Sequence, residues 1–365
     1  MNLSAPAASP PPGQTSNFDS PPNLRVLGLA GYLLAFILPS VSLAMRIYTK
    51  LVIIRRFNLS DYCMCMAWAL LVGCISVVWL ANEISPAVDQ WNLRLGDLIE
   101  VLYYNGISFI LYSSCILLLK LSILLQFLEI FTVEHDWFFW SCQALIWING
   151  VYYTTTTFLA IFACQPVSRL WQSRAINGSC TVDTTILVVA ATCVNAISDA
   201  TILTLPQIHI WKMHAPLRTK LRIAAAFSLG FLATGFCFLR MVFAIHLFSH
   251  PRNMSYYGWW SGFLGVFEIT LGMLAGCLPS CMKFIRTLAQ RVAAWRKNRK
   301  RQDSLSPLVP DLSQEKGNRT CPRGQLRDTD AEIGHAHAVR VERDQYPLSS
   351  FLSISVLSFE DSQLR

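Results

Sequence analysis

Charged residues are scarce in this chain. Asp, Glu, Lys and Arg make up 14% of its 365 residues, whereas soluble domains contain roughly a quarter. Hydrophobic residues make up 53%, and the mean hydropathy is +0.40. This composition argues against a water-soluble domain and favours a protein that resides in a membrane.

Motifs for catalysis and cofactor binding are also missing. The sequence contains no Walker loop, no dinucleotide-binding fingerprint, no H-E-x-x-H and no G-x-S-x-G. His335 with His337 and Cys63 with Cys65 are incomplete as sets of metal ligands. We therefore expect no catalytic residue, no cofactor and no metal site, and we expect that the protein is not an enzyme.

What the sequence does contain is a series of long apolar runs. A membrane-spanning helix needs about 20 such residues, because each residue rises ~1.5 Å. The sequence predicts an all-α membrane protein, a seven-transmembrane helix bundle over residues 26–283. The predicted spans are Val26–Tyr48, Asp61–Ala81, Ile107–Phe131, Trp137–Phe162, Thr184–Ile210, Ile223–Leu247 and Ser261–Lys283.

The segments outside these runs have a different composition. Residues 1–25 are rich in Pro, Ser and Ala and lack the features of a cleavable signal peptide, so we expect a disordered external segment. Residues 284–301 place apolar residues at helical spacing among basic ones, which predicts an amphipathic helix on the anionic inner leaflet. Residues 302–365 are polar and Ser-rich, which predicts a disordered cytoplasmic tail.

The distribution of Lys and Arg predicts the orientation. Sixteen lie after spans one, five and seven, whereas five lie in the segments on the other side. The positive-inside rule then places the N-terminus outside and the C-terminus in the cytoplasm. Because the net charge of +8 is concentrated beside the inner leaflet, we expect membrane lipids and no nucleic acid as partners.

N-glycosylation sequons give weak, partly independent support for this orientation. Asn2, Asn177 and Asn253 begin sequons in predicted external segments, so these residues are expected to be glycosylated. Asn58 and Asn318 also begin sequons, but they fall in predicted internal segments and are expected to stay unmodified.

The external loop "CQPVSRLWQSRAINGSC" has a cysteine at each end. Cys164 and Cys180 are the only cysteines in the predicted external segments, and a disulfide between them would contribute ~3 kcal/mol by loop entropy. The alternative is that both are reduced and Cys164 is the end of span four.

Four ionisable residues lie away from the ends of the predicted spans, in mid-membrane, where burial of a charge is costly and by default marks function. Lys120 and Asp199 fall at one depth, and Arg240 and Glu268 fall at another, so we predict an ion pair at each depth. Snorkelling of either cation to the membrane surface is the alternative. Asn195 shares a helix face with Asp199 and either lines a ligand pocket or holds neighbouring helices together.

Several motifs together carry a resemblance to a known family. They are "MRIYTKLVIIRRFNLSDY", "LLLKLSILLQFLEIF", "CQPVSRLW" followed by "NGSC", "NAISDATILTLPQIHIWK" and "EITLGMLAGCLPSCMKFIR". With these motifs the chain resembles the fungal rhodopsin-domain family of seven-helix membrane proteins, which includes the Pth-type receptors of plant-pathogenic fungi. The resemblance implies a plasma-membrane protein, and it implies a role beside secondary-metabolite (toxin) biosynthesis for members found in such gene clusters.

Two positions qualify the resemblance. Glu129 stands where the family usually has Arg, which places shared cytoplasmic coupling at that position in doubt. No Lys lies between Ser261 and Met282 in span seven, so a Schiff base to retinal is not expected.

These observations leave three functional hypotheses. The first is a receptor-like, non-retinal protein that senses an unknown small-molecule or surface ligand and contacts a cytoplasmic signalling partner. The second is a transporter that uses the buried charges, and the third is an accessory protein that organises biosynthetic enzymes.

Overall fold

The computed structural model describes residues 3–13, 15–131, 137–162, 184–211 and 217–305. Within these ranges the chain forms α-helices joined by short connections, and it has no named β-strand. The helices are α1 (Arg25–Tyr48), α2 (Leu59–Ile84), α3 (Leu95–Phe131), α4 (Trp137–Ile161), α5 (Thr184–Trp211), α6 (Leu217–Ser249) and α7 (Met254–Leu305). Met1–Asp303 form one compact unit, and Ser304–Arg365 form a second, of which only the first two residues are described.

The expectation of an all-helical membrane protein is confirmed in the described ranges. Of the seven described helices, six are long and apolar enough to cross a membrane. The remaining helix, α4, has 25 residues but carries Asn149, two tyrosines in sequence and the threonine run 154–157. The prediction of seven spans is therefore supported for every helix except α4.

Two helices extend well beyond the predicted spans. α3 begins at Leu95, whereas the predicted span begins at Ile107. The prediction missed the first three turns of the helix because they are too polar to belong to an apolar run. α7 continues without a break for 52 residues, so the predicted basic helix 284–301 is its last part and not a separate element. On this part Ile285, Leu288, Val292 and Trp295 are exposed. Contact of this helix with lipid stays a prediction.

Part of the N-terminal segment, for which disorder was expected over residues 1–25, makes backbone hydrogen bonds to the chain at the start of α3. Residues 3–7 pair with the start of α3 and the residues just before it. Leu95 and Gly96 donate backbone hydrogen bonds to Ala5 and Leu3, at 2.9 and 3.1 Å, and Ala7 donates to Leu93 at 2.9 Å. Composition could not predict this order, because it depends on a backbone partner 90 residues away in sequence. The end of the bundle at which α1 begins is called the N-terminal end below.

The first three helices and α7 share the larger hydrophobic core, and glycine allows α1 to approach α7 closely. The core includes Tyr32 of α1 and Trp259 and Phe263 of α7. A Cβ on Gly31 would lie 2.5 Å from Cε2 of Phe263, a ring that already stacks on Trp259 at 5.0 Å. Small residues at helix contacts are typical of membrane bundles, where packing supplies much of the association energy.

We therefore predict that Gly31→Ala destabilises the protein. The added methyl group forces Phe263 out of its stacked position, at a cost of about 1–3 kcal/mol. Gly150→Ala on α4 is the matched control, because a Cβ there would meet no atom within 4 Å. Thermal unfolding of the full chain in nanodiscs measures both, and equal midpoints for the two variants would contradict the prediction.

Candidate functional site

A network of buried polar side chains occupies the interior of the bundle. Lys120 of α3 and Asp199 of α5 form an ion pair with Nζ and Oδ1 at 2.9 Å. Lys120 Nζ also donates to the hydroxyl of Tyr153 on α4, at 3.2 Å, and to the carbonyl of Asn195, at 3.3 Å. The ammonium group therefore has partners on two neighbouring helices, and Lys120 is only 3% exposed.

The second predicted ion pair is also present. Arg240 Nη1 of α6 lies 3.4 Å from Oε2 of Glu268 on α7. The Arg240 guanidinium carbon lies 3.9 Å from the ring centroid of Tyr112, and the Tyr112 hydroxyl donates to Glu268 Oε1 at 2.9 Å. A cation over an aromatic face is attracted by the ring quadrupole, and this attraction grows when water is excluded.

Asn195 joins the two pairs into one network. Its Oδ1 accepts from the Tyr153 hydroxyl at 2.5 Å, and its Nδ2 donates to Glu268 Oε1 at 2.5 Å. Of the two roles open to Asn195, the observed one is contact between helices. The sequence predicted two separate pairs, but it could not show that one amide connects them.

The charges of this network balance, which bears on metal binding. Ligand atoms of Asp199, Cys237 and Glu268 lie within 4.8 Å of one another, close enough to hold an ion. Each of the two carboxylates, however, already faces a cation, Lys120 or Arg240. A metal ion would have to displace or lie beside these cations, so the arrangement does not favour one.

A second cluster of polar side chains joins α1, α2, α3 and α7 at the end of the bundle opposite the N-terminal end. Arg46, which is 1% exposed, donates from Nε to Asp61 Oδ1 at 2.8 Å. Its Nη1 donates to Gln126 Oε1 at 2.8 Å and to the carbonyl of Gly276 at 2.7 Å. One guanidinium therefore contacts three other helices.

The sequence interpretation missed this cluster because Arg46, at the end of predicted span one, was counted among the sixteen Lys and Arg assigned to the cytoplasmic side. A signal was available in the capping box at the start of α2. Asp61 Oδ2 accepts from the backbone N–H of Asn58 at 3.0 Å, which fixes the carboxylate at the first turn of α2. A carboxylate held there by its own helix was a candidate partner for a nearby arginine.

Glu129 completes the cluster. It lies 3.4 Å from Lys50 Nζ and accepts from the Ser60 hydroxyl at 2.7 Å, while Lys50 also lies 3.1 Å from Asp61 Oδ2. An acidic residue at this position of α3 therefore has basic and hydroxyl partners on the segment after α1 and on α2.

A cavity of about 150 Å³ lies between the central network and the N-terminal end. Arg240 and Tyr112 belong to both the cavity wall and the network. The other lining residues come from α2 to α7 and are mostly apolar. A molecule in this cavity would therefore lie next to the buried charges.

Some predicted sites fall on parts of the chain that the structure does not describe. Asn2, Asn177, Cys164 and Cys180 lie outside the described residues. Asn253 is described: its Nδ2, the atom to which a glycan would be attached, donates to Asp89 Oδ1 at 2.6 Å. Its Oδ1 accepts from the backbone N–H of Gln90 at 3.1 Å. Glycosylation of Asn253 stays a prediction that would have to accommodate these contacts.

Comparison with known proteins gives a family match and two relatives. The family model "Fungal rhodopsin domain" matches residues 45–287. The chain is 25% identical to "Fugralins biosynthesis cluster protein 2" of Gibberella zeae over 291 residues, which are 78% of this chain and 72% of the relative. It is 33% identical to a "SAT4 family membrane protein" of Emericella nidulans over 252 residues, 67% of this chain and 63% of that relative. No solved structure matches.

The central network predicts non-additive effects of mutation. Asp199→Asn leaves the Lys120 charge without its counterion and should lower the free energy of unfolding by about 3 kcal/mol. Adding Lys120→Met should recover much of this loss, because the double variant has no uncompensated charge. Denaturant unfolding in detergent measures the cycle, with the exposed Glu100→Gln as control. Additive losses would contradict a direct pairing.

The cluster at the opposite end predicts that Arg46 cannot be replaced by lysine. Lysine has one ammonium group and cannot hold Asp61, Gln126 and the Gly276 carbonyl together. Arg46→Lys should therefore cost about 1.5–3 kcal/mol, the contribution of a hydrogen bond to a charged group. The exposed Arg56→Lys is the matched control, and the same unfolding midpoint for both would be evidence against the geometry.

Proposed function

Because the chain belongs to the fungal rhodopsin domain family, we propose that this membrane protein is a receptor-like, non-retinal, seven-helix sensor of a small ligand. The observation that carries the proposal is that Arg240 belongs to two features at once: it lines the cavity, and it pairs with Glu268 in the buried network. Occupation of the cavity can therefore change contacts that connect α3, α4, α5, α6 and α7.

A seven-span arrangement with the N-terminus outside is part of the proposal. α4 supports it, because its large apolar side chains point out of the bundle: Trp140, Trp147, Val151 and Phe158 are each at least 58% exposed. Such a face is suited to lipid. The excess of Lys and Arg after spans one, five and seven supports a cytoplasmic C-terminus. We propose the plasma membrane as the location, where an external ligand would be met.

A receptor also requires a part of the fold whose contacts can change between two conformational states. The polar cluster around Arg46, at the opposite end of the bundle, can supply that part. A ligand shifts a conformational equilibrium only if its contacts differ between the two states. Arg46 and Lys50 hold four helices or helix ends through ion pairs and hydrogen bonds. A shift of α7 would change the contact between Arg46 and the Gly276 carbonyl, and the exposed basic end of α7 would present that change to a cytoplasmic partner.

The second candidate is an accessory or transport role beside secondary-metabolite biosynthesis. It is favoured by the relative whose name describes a biosynthesis cluster protein. In that case the ligand of the cavity would be a product or intermediate of a pathway, and the buried charges would serve its movement across the membrane.

Topology provides the first test of the proposal. A tag placed before residue 1 should be accessible from outside intact cells, and a tag after residue 365 should become accessible only after permeabilisation. A glycosidase should reduce the apparent mass of the chain, and Asn177→Gln should remove part of that reduction. Both tags on one side of the membrane would overturn the seven-span arrangement.

The receptor role is tested by proximity labelling from a biotin ligase fused to the C-terminus. Cells are compared in fresh medium and in their own spent medium. A receptor predicts that the set of labelled cytoplasmic proteins changes between the two media and that truncation after Arg301 abolishes the change. Identical labelling in both media, together with metabolite flux in proteoliposomes that Asp199→Asn abolishes, would instead establish transport.

A further inference from the structure

One lining residue of the cavity, Arg240, carries a hydrogen-bond donor that the described residues leave unused. Arg240 is 5% exposed and lines the cavity, and its Nη1 faces Glu268. Its Nε, however, is buried and has no hydrogen-bond partner among the described residues. A buried donor on a charged group is costly to leave unpaired, so a partner from outside the chain would be favoured here.

The size and lining of the cavity limit what that partner can be. A volume of about 150 Å³ is below the roughly 300–1,000 Å³ of pockets that bury drug-sized ligands. A dry cavity of roughly this volume is large enough for a molecule the size of benzene. Because Val78, Phe109, Leu187 and Val266 are among the lining residues, most of the occupant must be apolar.

Glycines of α7 leave this space open. Gly258, Gly262 and Gly265 all line the cavity. A Cβ on Gly262 would meet no atom within 4 Å, so this glycine faces open space. A Cβ on Gly265 would lie 3.3 Å from Arg240 Nε, so this glycine lines the cavity at the end where Arg240 lies, beside the unused donor.

The buried charges next to the cavity limit the net charge that a ligand can carry. Lys120 and Arg240 are balanced by Asp199 and Glu268. An anion would leave one uncompensated negative charge inside an apolar bundle, and a cation would face Arg240 directly; both are costly. A neutral oxygen can accept a hydrogen bond from Nε without changing this balance.

We infer that the cavity binds a small neutral molecule with an apolar body and one oxygen acceptor, such as a ketone, whose oxygen lies against the Arg240 guanidinium. Because Nε is covered, the guanidinium must turn to meet that oxygen, which changes its 3.4 Å contact with Glu268. This inference names the ligand class of the receptor proposed above and rests on that proposal for its biological role.

Three ring compounds of similar shape test the inference. The full chain in nanodiscs is titrated calorimetrically with cyclohexanone, with methylenecyclohexane, which lacks the acceptor, and with cyclohexanecarboxylate, which is an anion. Empty nanodiscs correct for partitioning into lipid. Cyclohexanone should bind roughly tenfold to a hundredfold more tightly than methylenecyclohexane, the ratio given by one hydrogen bond to a charged donor. Equal binding of the two, tighter binding of the carboxylate or no binding of cyclohexanone would each overturn the inference.

Two variants locate the binding. Arg240→Met combined with Glu268→Gln removes the donor and its counterion together, and it should abolish the preference for cyclohexanone over methylenecyclohexane. Gly262→Val fills the cavity without touching the charged network and should abolish binding of both. Gly235→Val on α6 is the matched control, because a Cβ there also meets no atom within 4 Å and the residue is not part of the cavity wall. Retained binding in Gly262→Val would show that the ligand lies elsewhere.

The titration is independent of signalling, so the two proposals can fail separately. One possible result is that the preference for cyclohexanone is lost in the Arg240 variant and its binding is lost in Gly262→Val, while labelling of cytoplasmic proteins never depends on ligand. This result would support the ligand site and refute the receptor role. Ligand-dependent labelling that persists in Gly262→Val would refute this ligand site and retain the receptor.

Discussion

The structure depends on one constraint: charges inside an apolar bundle must have partners. An uncompensated buried charge costs several kcal/mol, whereas a paired one can be retained. Lys120, Asp199, Arg240 and Glu268 meet this constraint as a balanced set, and Asn195 and Tyr153 complete the hydrogen bonds between them. Because the members come from α3 to α7, none of these five helices can move far without breaking a contact. The same constraint applies at the opposite end, where Arg46 is buried against Asp61, Gln126 and a backbone carbonyl.

Glycine determines where the packed helices touch and where they leave space. At Gly31 the missing side chain admits the ring of Phe263, so α1 and α7 are in close contact. At Gly262 the missing side chain faces empty volume, so the same helix contributes an open wall to the cavity. α7 therefore packs against the core on one face and forms part of the cavity on another. It also ends in a long basic segment, so the helix that supplies Glu268 is continuous with the exposed surface at the opposite end.

Part of the candidate site follows from the sequence because charge in an apolar run is conspicuous. Lys120, Asp199, Arg240 and Glu268 stand out in this way, and helical rise alone was sufficient to match each cation to its carboxylate. Tyr112 and Tyr153 did not stand out, because tyrosine is common in apolar runs and its hydroxyl contacts depend on rotation of the helix about its axis. Arg46 was assigned to the surface, since a helix end gives no indication from sequence of whether it is covered. The N-terminal segment was expected to be disordered, since composition does not reveal a distant backbone partner.

The sequence by itself determined that this is an all-helical membrane protein, that most Lys and Arg near the predicted spans follow spans one, five and seven, and that four ionisable residues lie near the middle of apolar runs. These properties follow from composition and from the fixed rise of the helix, which act along the chain. Only the tertiary structure decided that the two ion pairs are one network, that Arg46 is buried, and that Arg240, whose Nε is unpaired among the described residues, lines a cavity. These properties depend on the rotation and spacing of neighbouring helices, which are fixed by side-chain packing between residues distant in sequence.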